Sequence, residues 1–285
     1  MKFTKMHGCG NDYVYVDCTK EMIPKAEQTA VFVSDRHFGI GSDGLILIAP
    51  SQRADFEMIM FNADGSLGEM CGNGIRCVGK YVYDHGLTDQ THITVDTLAG
   101  IKNLELTVTD GKVTEALVDM GAPEFSCDRI PVVCDKETAI AEPITVDGKT
   151  YEMTCVSMGN PHCVIFCEED VRSLDLEKIG PSFERHERFP KRINTEFVNV
   201  LDDSHVRMRV WERGSGETWA CGTGATASVM ASILMGYTED EAEVALRGGK
   251  LVIRYERESG HLFMTGPAVE VFRGSIDIPE EIYYD

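Results

Sequence analysis

Two cysteines in glycine-rich loops are the residues of this sequence best suited to chemistry. Cys71 lies within NADGSLGEMCGNGIR, and Cys221 lies within ERGSGETWACGTGAT. Gly-X-Gly and then a run that predicts a helix follow each cysteine, so each thiol precedes a helix N-terminus. The amides and the dipole at such a terminus stabilise an anion, and only a thiolate acts as a base or nucleophile. The loops therefore predict two activated thiols rather than two small residues packed in turns.

The presence of two such thiols favours one type of reaction. A single activated cysteine suits acyl transfer with a histidine as its base, and His162 would fill that role, but a second nucleophile would then have no purpose. Two thiols on opposite faces of one carbon suit stereoinversion, because one thiolate removes a proton while the other thiol delivers one. Two helix N-termini would hold the neighbouring carboxylate while the carbanion forms. The pattern thus predicts inversion at a carbon next to a carboxylate.

Five polar residues are candidates to support the thiols. His162 and Glu212 would orient or tune them, and Arg213 would anchor a second carboxylate. Asn11 and Asn160 each follow a glycine at matching places in the two halves, so each would aim an amide from the end of a strand. Ordinary alternatives are an imidazole bonded to a backbone carbonyl for His162, a solvated strand end for Glu212 and a surface ion pair for Arg213.

The elements around the two loops repeat along the chain. Cys71 recurs as Cys221 at an offset of 150 residues, and Gly111 recurs as Gly260 at an offset of 149. This indicates a duplication with two copies. We expect an α+β protein of two pseudo-symmetric domains, each an antiparallel β-barrel-like sheet wrapped around a central helix, with the active site in the cleft between them. The expected boundaries are residues 1–118 plus 270–285, and residues 119–269.

Hydrophobic periodicity predicts the elements that carry these residues. A helix is predicted over Glu27–Phe38, with Ala30, Val31, Val33 and Phe38 on its buried side. The helices after the two loops are predicted at Ile75–Tyr83 and Ala225–Met235, and both are apolar enough to be enclosed. Predicted hairpins join Leu45–Ala49 to Phe56–Phe61, and Phe197–Leu201 to Val206–Trp211.

Composition excludes several classes of function. The 285 residues carry a net charge of −20, which disfavours binding to nucleic acid or anionic membranes. No apolar run approaches 18 residues, and the N-terminal residues lack the apolar core of a signal peptide, so we expect a cytoplasmic protein with no membrane partner. The ten cysteines include no Cys-X-X-Cys, which disfavours zinc. The glycine-rich loops also do not follow a dinucleotide-binding pattern.

At these motifs the sequence resembles the diaminopimelate epimerase family. The matching segments, in chain order, are GCGNDYVYVD, DRHFGIGSDG, NADGSLGEMCGNGIRC, MGNPHCV, INTEFV, WERGSGETWACGTGA and TGPAVEVFRG. The cysteine loops alone would indicate only the wider group of proline-racemase-like and phenazine-biosynthesis-like folds. The resemblance implies interconversion of LL- and meso-diaminopimelate in lysine and peptidoglycan precursor synthesis, without PLP, another cofactor or a metal.

The resemblance also implies a role for each matching residue. Cys221 would be the proton acceptor and Cys71 the donor in the LL-to-meso direction, with His162 and Glu212 adjusting the thiols. The reacting carboxylate would meet the backbone amides of Gly72, Asn73, Gly222 and Thr223. The other substrate contacts would come from Asn11, Asn62, Asn160, Asn194, Glu212 and Arg213. Among these, Arg213 would grip the distal carboxylate.

One departure and one assembly follow from the same resemblance. Some family members place a glutamine near the substrate where this chain has Gly44, so that contact is expected to be absent. The family implies a homodimer. The late strand signal at Val269–Phe272 is the expected part of the interface, because an additional strand with an aromatic residue suits docking.

Three other functions remain open from the residues. An epimerase for proline or hydroxyproline would use the same two thiols, but its substrate has no second carboxylate for Arg213. A noncatalytic binding protein on this fold would not need both Cys71 and Cys221. A redox sensor would join these two cysteines in a disulfide when no substrate is bound.

Overall fold

The computed structural model describes residues 1–279 and 281–282. The chain divides into two compact units: unit 1 is Met1–Val118 with Gly266–Asp285, and unit 2 is Asp119–Thr265. Residues 280 and 283–285, which the predicted N-terminal domain includes, lie outside the described residues. Within the described part of the chain, none of the helices combines the length and the apolarity that a membrane span requires.

Eighteen strands and four α-helices make up the described chain. The first half contains β1 (Lys2–Gly8), β2 (Asn11–Asp17), α1 (Ala26–Ser34), β3 (Gly44–Ala49), β4 (Phe56–Asn62), β5 (Leu67–Gly68), α2 (Gly72–Asp84), β6 (His92–Thr97), β7 (Gly100–Thr109) and β8 (Lys112–Gly121). The second half contains β9 (Glu142–Val146), β10 (Lys149–Ser157), β11 (Pro161–Phe166), a 3-10 turn (Val171–Ser173), α3 (Leu176–Glu184), β12 (Asn194–Asp202), β13 (His205–Glu212), β14 (Gly216–Thr218), α4 (Gly222–Leu234), β15 (Glu241–Leu246), β16 (Gly249–Glu256), β17 (His261–Pro267) and β18 (Val269–Ser275).

Parallel strand pairs occur in both units, so the expectation of antiparallel sheets is wrong. In unit 1, β2 pairs in parallel with β3, and β4 with β6. In unit 2, β11 pairs in parallel with β12, and β13 with β15. Along the chain, the two strands of each pair are separated by a helix, a different one of the four in each case. Parallel neighbours need a crossover connection, and a helix is the usual one. The fold is therefore mixed α/β and consists mostly of strands.

Unit 2 repeats the element order of unit 1. Helix α3 (Leu176–Glu184) corresponds to α1 (Ala26–Ser34) at an offset of 150 residues, and α4 corresponds to α2 at the same offset. The sequence did not indicate α3, which contains Gly180 and Pro181. A Cβ on Gly180 would lie 2.2 Å from the Trp211 ring. The glycine thus allows α3 to pack closely against β13.

The helices after the cysteine loops are enclosed, as the sequence predicts. Helix α2 buries Ile75, Val78 and Val82 and contacts β1, β2, β7 and β18 within unit 1. Helix α4 contacts β10, β11, β12, β13, β15 and β16 within unit 2. Both helices begin three residues earlier than predicted, at Gly72 and Gly222. The two glycine-rich loops therefore lead directly into buried helices.

The predicted first helix is too long. Helix α1 ends at Ser34, Phe38 is 86% exposed and Val31 is 48% exposed, so neither belongs to the buried side. Asp35 Oδ1 accepts the backbone N–H groups of residues 37 and 38 at 2.7 and 2.8 Å, and this turn ends the helix. The buried side uses Thr29 and Ser34 besides the apolar residues, so hydrophobicity alone misplaced it.

Both predicted hairpins are confirmed. Strands β3 and β4 are antiparallel, with Leu45 opposite Phe61. Strands β12 and β13 are antiparallel, with Phe197 opposite Arg209. In each unit the second strand of the hairpin leads through a short strand, β5 or β14, into the cysteine loop.

Candidate active site

Cys71 is the N-cap of α2. It has extended backbone angles (φ −130°, ψ 116°), and Gly74 N donates to its Sγ at 3.3 Å. Ile75 N makes the first intrahelical bond, to Cys71 O at 2.9 Å. The backbone amides of Gly72 and Asn73 precede that bond and lie at the positive end of the helix dipole. The predicted position of this thiol at a helix N-terminus is confirmed.

Cys221 caps α4 with almost the same geometry. Its angles are φ −125° and ψ 112°, and Gly224 N donates to Cys221 Sγ at 3.3 Å. Burial raises the pKa of the Cys221 thiol well above its ordinary value, and the carboxylates of Glu212 and Glu196 raise it further. Hydrogen bonds from Thr223 and Gly224 oppose these effects. The Cys221 thiol is therefore harder to ionise than an ordinary cysteine.

Three of the predicted residues of unit 1 lie together. Cys71 Sγ donates to Asn11 Oδ1 at 3.2 Å, and Asn73 Nδ2 donates to the same oxygen at 3.4 Å. Asn11 Nδ2 in turn donates to Asp43 Oδ2 at 2.8 Å. Asn62 lies at the end of β4, where its amide donates to Ser66 Oγ at 3.0 Å. A substrate contact at Asn62 stays a prediction.

Three residues that support this cluster were missed from the sequence. Asp43 fixes the Asn11 amide, and Arg36 joins the carboxylates of Asp43 and Asp12 at 3.0 and 2.9 Å. Arg76 is fully buried and donates to Asn73 Oδ1 at 3.0 Å. Arg76 is one of three charged residues of α2, with Lys80 and Asp84, so its charge alone did not mark it out in the sequence.

In unit 2, His162 lies between Asn160 and Glu196. Both His162 and Glu196 are fully buried, and His162 Nδ1 is 2.7 Å from Glu196 Oε1. His162 Nε2 is 3.0 Å from Asn160 Oδ1. The alternative that His162 bonds a backbone carbonyl is therefore wrong. Glu196 was missed because, in INTEFV, it occupies an ordinary strand position.

Glu212 lies beside Cys221 rather than at a solvated strand end. It is half-buried at the end of β13 and accepts a hydrogen bond from the Thr218 hydroxyl. Burial raises the pKa of Glu212, while bonds from Thr218 and Cys221 and the charge of His162 lower it. The structure therefore brings Glu212 to the thiol that it was predicted to tune.

Asn194 and Arg213 meet through the backbone. Asn194 is buried, its Nδ2 donates to Pro161 O at 2.9 Å, and its Oδ1 accepts Arg213 N at 2.8 Å. The Arg213 side chain is exposed and donates to Lys191 O at 3.3 Å. Asn194 thus fixes the backbone of Arg213 and leaves its guanidinium accessible.

Gly44 has no room for a side chain. A Cβ at this position would lie 2.1 Å from Phe61 O and 2.8 Å from the Tyr13 ring. Because Phe61 belongs to the paired strand β4, its carbonyl cannot move without breaking the ladder. A glutamine at position 44 is therefore incompatible with this backbone.

Comparison with solved structures shows a shared fold. A hydroxyproline epimerase from Agrobacterium vitis has a TM-score of 0.67 at 14% identity, covering 97% of this chain and 90% of that chain. A phenazine biosynthesis protein of the PhzF family from Bacillus anthracis has a TM-score of 0.67 at 16% identity, covering 98% and 99%. At such identities the likeness is evidence for the fold alone.

Sequence comparison is more specific. The family model for diaminopimelate epimerase matches residues 3–126 and 154–271. A diaminopimelate epimerase from Acetivibrio thermocellus is 58% identical over 280 residues, covering 98% of this chain and 100% of that protein. Another from Methanococcus maripaludis strain C5 is 58% identical over 278 residues, with the same coverage. This chain belongs to the diaminopimelate epimerase family.

Proposed function

We propose that the chain interconverts LL- and meso-diaminopimelate by moving the α-proton between Cys71 and Cys221. Its activity is that of a diaminopimelate epimerase, an isomerase of lysine biosynthesis. What is proposed is the assignment of the chemistry to residues. In the LL-to-meso direction, the Cys221 thiolate takes the proton and the Cys71 thiol delivers one to the opposite face of the carbon.

The equal capping geometry of the two cysteines is the observation that carries this proposal. Each sulfur accepts an N–H from the third residue after it at 3.3 Å, so each would be stabilised as a thiolate by the same helix turn. The amides of Gly72 and Asn73, and those of Gly222 and Thr223, are oriented for a carboxylate. A carbanion next to that carboxylate gains most from donors that are fixed in advance.

The resting state of Cys221 sets a condition on the mechanism. Because its pKa is raised, Cys221 must lose a proton before it acts as the acceptor. Glu212 accepts a hydrogen bond from Cys221 and has a raised pKa of its own, so it is the base that we assign to this step. The proton moves from sulfur to the Glu212 carboxylate, and the sulfur keeps the electron pair.

The remaining assignments concern binding. We propose that Arg213 pairs with the distal carboxylate, because its guanidinium is exposed while its backbone is fixed by Asn194. Asn11 and Asn160 lie beside the two cysteine loops and would bind the polar groups at the reacting carbon. Asn62 would complete the set.

Exchange of the α-proton in D₂O tests the assignment of the thiols. Wild type is expected to deuterate and interconvert both isomers. Of the two catalytic thiols, Cys71→Ala keeps only Cys221. It is expected to deuterate LL-diaminopimelate with retention of configuration and to leave the meso isomer unlabelled. Cys221→Ala should show the reverse. Wild-type interconversion by either variant would overturn the two-thiol mechanism, and the opposite labelling pattern would overturn the donor and acceptor roles.

L-Proline in the same assay tests the substrate. Deuterium incorporation is expected with diaminopimelate and not with L-proline, because proline has no carboxylate for Arg213. Exchange with L-proline alone would favour the alternative of a proline or hydroxyproline epimerase.

Three further expectations keep the status of proposals. The homodimer would form through β18, where Val269, Val271 and Phe272 are 40%, 54% and 46% exposed. Sedimentation of Val271→Glu should then show a monomer where wild type sediments as a dimer. The closure of each sheet around its helix and the cytoplasmic location also stay predictions.

A further inference from the structure

A continuous series of hydrogen bonds joins Glu196 to Cys221. Glu196 Oε1 is 2.7 Å from His162 Nδ1, and His162 Nε2 is 3.0 Å from Asn160 Oδ1. Asn160 Nδ2 donates to Thr223 Oγ1 at 3.2 Å, and Thr223 Oγ1 is 3.5 Å from Cys221 Sγ. All five residues belong to unit 2.

The donors in this series point in one direction. Because Asn160 Nδ2 donates to Thr223, Asn160 Oδ1 is the atom that faces the ring, and His162 Nε2 must carry a proton. His162 Nδ1 also carries one, since its neighbour is a carboxylate oxygen. The Thr223 hydroxyl accepts from Asn160, so its own proton is available for Cys221 Sγ. A neutral ring would turn the Asn160 amide over, and the Thr223 proton would then go to Asn160.

We propose that Glu196 is a positioning residue for Cys221: through His162 and Asn160 it directs the Thr223 hydroxyl proton to the Cys221 sulfur. For its meaning in catalysis this inference rests on the two-thiol mechanism proposed above. The Glu196 carboxylate orients the His162 ring: it accepts the Nδ1 proton in a hydrogen bond and stabilises the imidazolium. Thr223 then stabilises the thiolate when it forms, as a donor to an anionic sulfur.

The burial of Glu196 supports this role. Both its side chain and that of His162 are fully buried, and no described residue bonds Glu196 Oε2. A buried carboxylate is costly unless a nearby charge compensates it. The imidazolium is that charge, so the ion pair and the direction of the hydrogen bonds require each other.

In the described part of unit 1, Cys71 and Asn73 bond Asn11, which continues to Asp43 and not to a histidine–carboxylate pair. The strand positions of His162 and Asn194, which face each other in unit 2, are held by Tyr13 and Gly44 in unit 1. The position of Glu196 is held by Ile46. The inference therefore applies to Cys221 alone, and Cys71 in the same molecule is an internal control. The other charged group that faces Cys221 is Glu212, which stays unchanged in the test.

Alkylation by iodoacetamide measures the two thiols without any substrate. The rate at each cysteine is followed by peptide mass spectrometry between pH 6 and pH 10 in wild type, Glu196→Gln and Thr223→Val. Glu196→Gln removes the carboxylate and with it the need for the imidazolium, so their direct effects on the sulfur largely cancel. Loss of the Thr223 bond should then slow Cys221 alkylation about tenfold at pH values below the midpoint of its pH profile. The alkylation rate of Cys71 should not change.

A double variant decides whether Glu196 acts through Thr223. If it does, Glu196→Gln should add nothing in the Thr223→Val background. Thr195→Val, at the fully buried neighbouring position of β12, controls for disturbance of the strand and should leave both thiols unchanged.

Two results would overturn the proposal. Faster alkylation of Cys221 in Glu196→Gln would mean that direct repulsion by the carboxylate dominates. An undiminished effect of Glu196→Gln in the Thr223→Val background would mean that the hydroxyl is not the link. Neither result depends on turnover, so failure here is distinct from failure of the D₂O exchange test of the two-thiol mechanism.

Discussion

Glu196 occupies in unit 2 the strand position that Ile46 occupies in unit 1, and each is the nearest neighbour of a glycine in the cysteine loop. A Cβ on Gly74 would lie 2.7 Å from Ile46 Cδ1, and a Cβ on Gly224 would lie 2.7 Å from Glu196 Oε1. The backbone of the two loops is thus equivalent, while the chemical environment of the two thiols differs. The duplicated halves have the same capping geometry and different charges.

Alanine at the two glycines should therefore have unequal effects. Gly224→Ala forces its Cβ against Glu196 Oε1 and to 3.2 Å from Cys221 Sγ, so kcat/KM should fall about 100-fold. Gly74→Ala meets the end of a flexible isoleucine, and a loss below about tenfold is expected, because Ile46 can change rotamer. Gly79→Ala, farther along α2, controls for the effect of replacing a helical glycine by alanine away from the cysteine. Equal losses at positions 74 and 224 would contradict the assignment of Glu196.

Removal of the Glu212 charge should separate thiol reactivity from turnover. After burial, the Glu212 carboxylate is the largest cause of the raised pKa of Cys221. Glu212→Gln should lower that pKa and speed Cys221 alkylation at pH 8 by about three- to tenfold, while epimerisation falls because the base is gone. The check is alkylation and turnover on one preparation, with Cys71 as reference. Slower alkylation of Cys221 would show that Glu212 does not repel the thiolate.

Substitution of Arg213 should act mainly on binding. Arg213→Lys keeps the charge and loses the two-pronged geometry, so KM for diaminopimelate should rise about tenfold or more, with a smaller change in kcat. Arg192→Lys, at an exposed arginine that pairs with Glu184, is the matched control. An unchanged KM in Arg213→Lys would remove Arg213 from the substrate site.

Low pH should weaken the ion pairs of Asp12, which support the Cys71 cluster through Arg36. Burial alone would raise the pKa of Asp12, but hydrogen bonds from Arg36 and Lys5 outweigh it and hold the pKa below its ordinary value. A lowered folded-state pKa gives stability that is present above the unfolded value, near 4, and is lost as the pH falls through the folded value.

Asp12→Asn should therefore lower the free energy of unfolding at pH 7 by roughly 1–3 kcal/mol, and the difference from wild type should narrow below about pH 4. Urea unfolding at pH 7, 5 and 3 measures this, with the exposed Asp89→Asn as control. If wild type and Asp12→Asn differed in free energy of unfolding by the same amount at all three pH values, the ionised Asp12 carboxylate would not be the source of the stability.

Glutamine at position 44 should not restore the contact that some relatives have. Because the Phe61 carbonyl lies 2.1 Å from the required Cβ, Gly44→Gln must shift the ladder between β3 and β4. We expect a loss of stability of several kcal/mol or no folded protein, as with other overpacked sites. A melting curve checks this, and wild-type stability would show that the strands tolerate the shift.

The cysteine caps could be predicted because their signal is local. A cysteine, two glycines and an apolar run all lie within a few residues, and the repeat at an offset of 150 made each loop support the other. Glu196 could not be found in this way. Its partner His162 precedes it by 34 residues, and its burial depends on the parallel pairing of β11 with β12.

The strand directions were mispredicted for a related reason. Neighbouring strands in sequence suggested hairpins, and the hairpins between β3 and β4 and between β12 and β13 exist. The parallel pairs join strands separated by a whole helix, and α3 was not predicted. Its Gly180 and Pro181 have low helix propensity. Gly180 serves the contact with Trp211, which local propensity does not show.

The pairing of β1 with β18 has a consequence for synthesis on the ribosome. Lys2 lies opposite Ser275, and His7 lies opposite Val269, so the first and the last of the described strands in chain order pair with each other. Unit 2 is one continuous segment, Asp119–Thr265, and all of its strands are available before β18 emerges. The unit that holds Cys71 therefore begins first and is completed last, and until then β1 lacks one of its two neighbours.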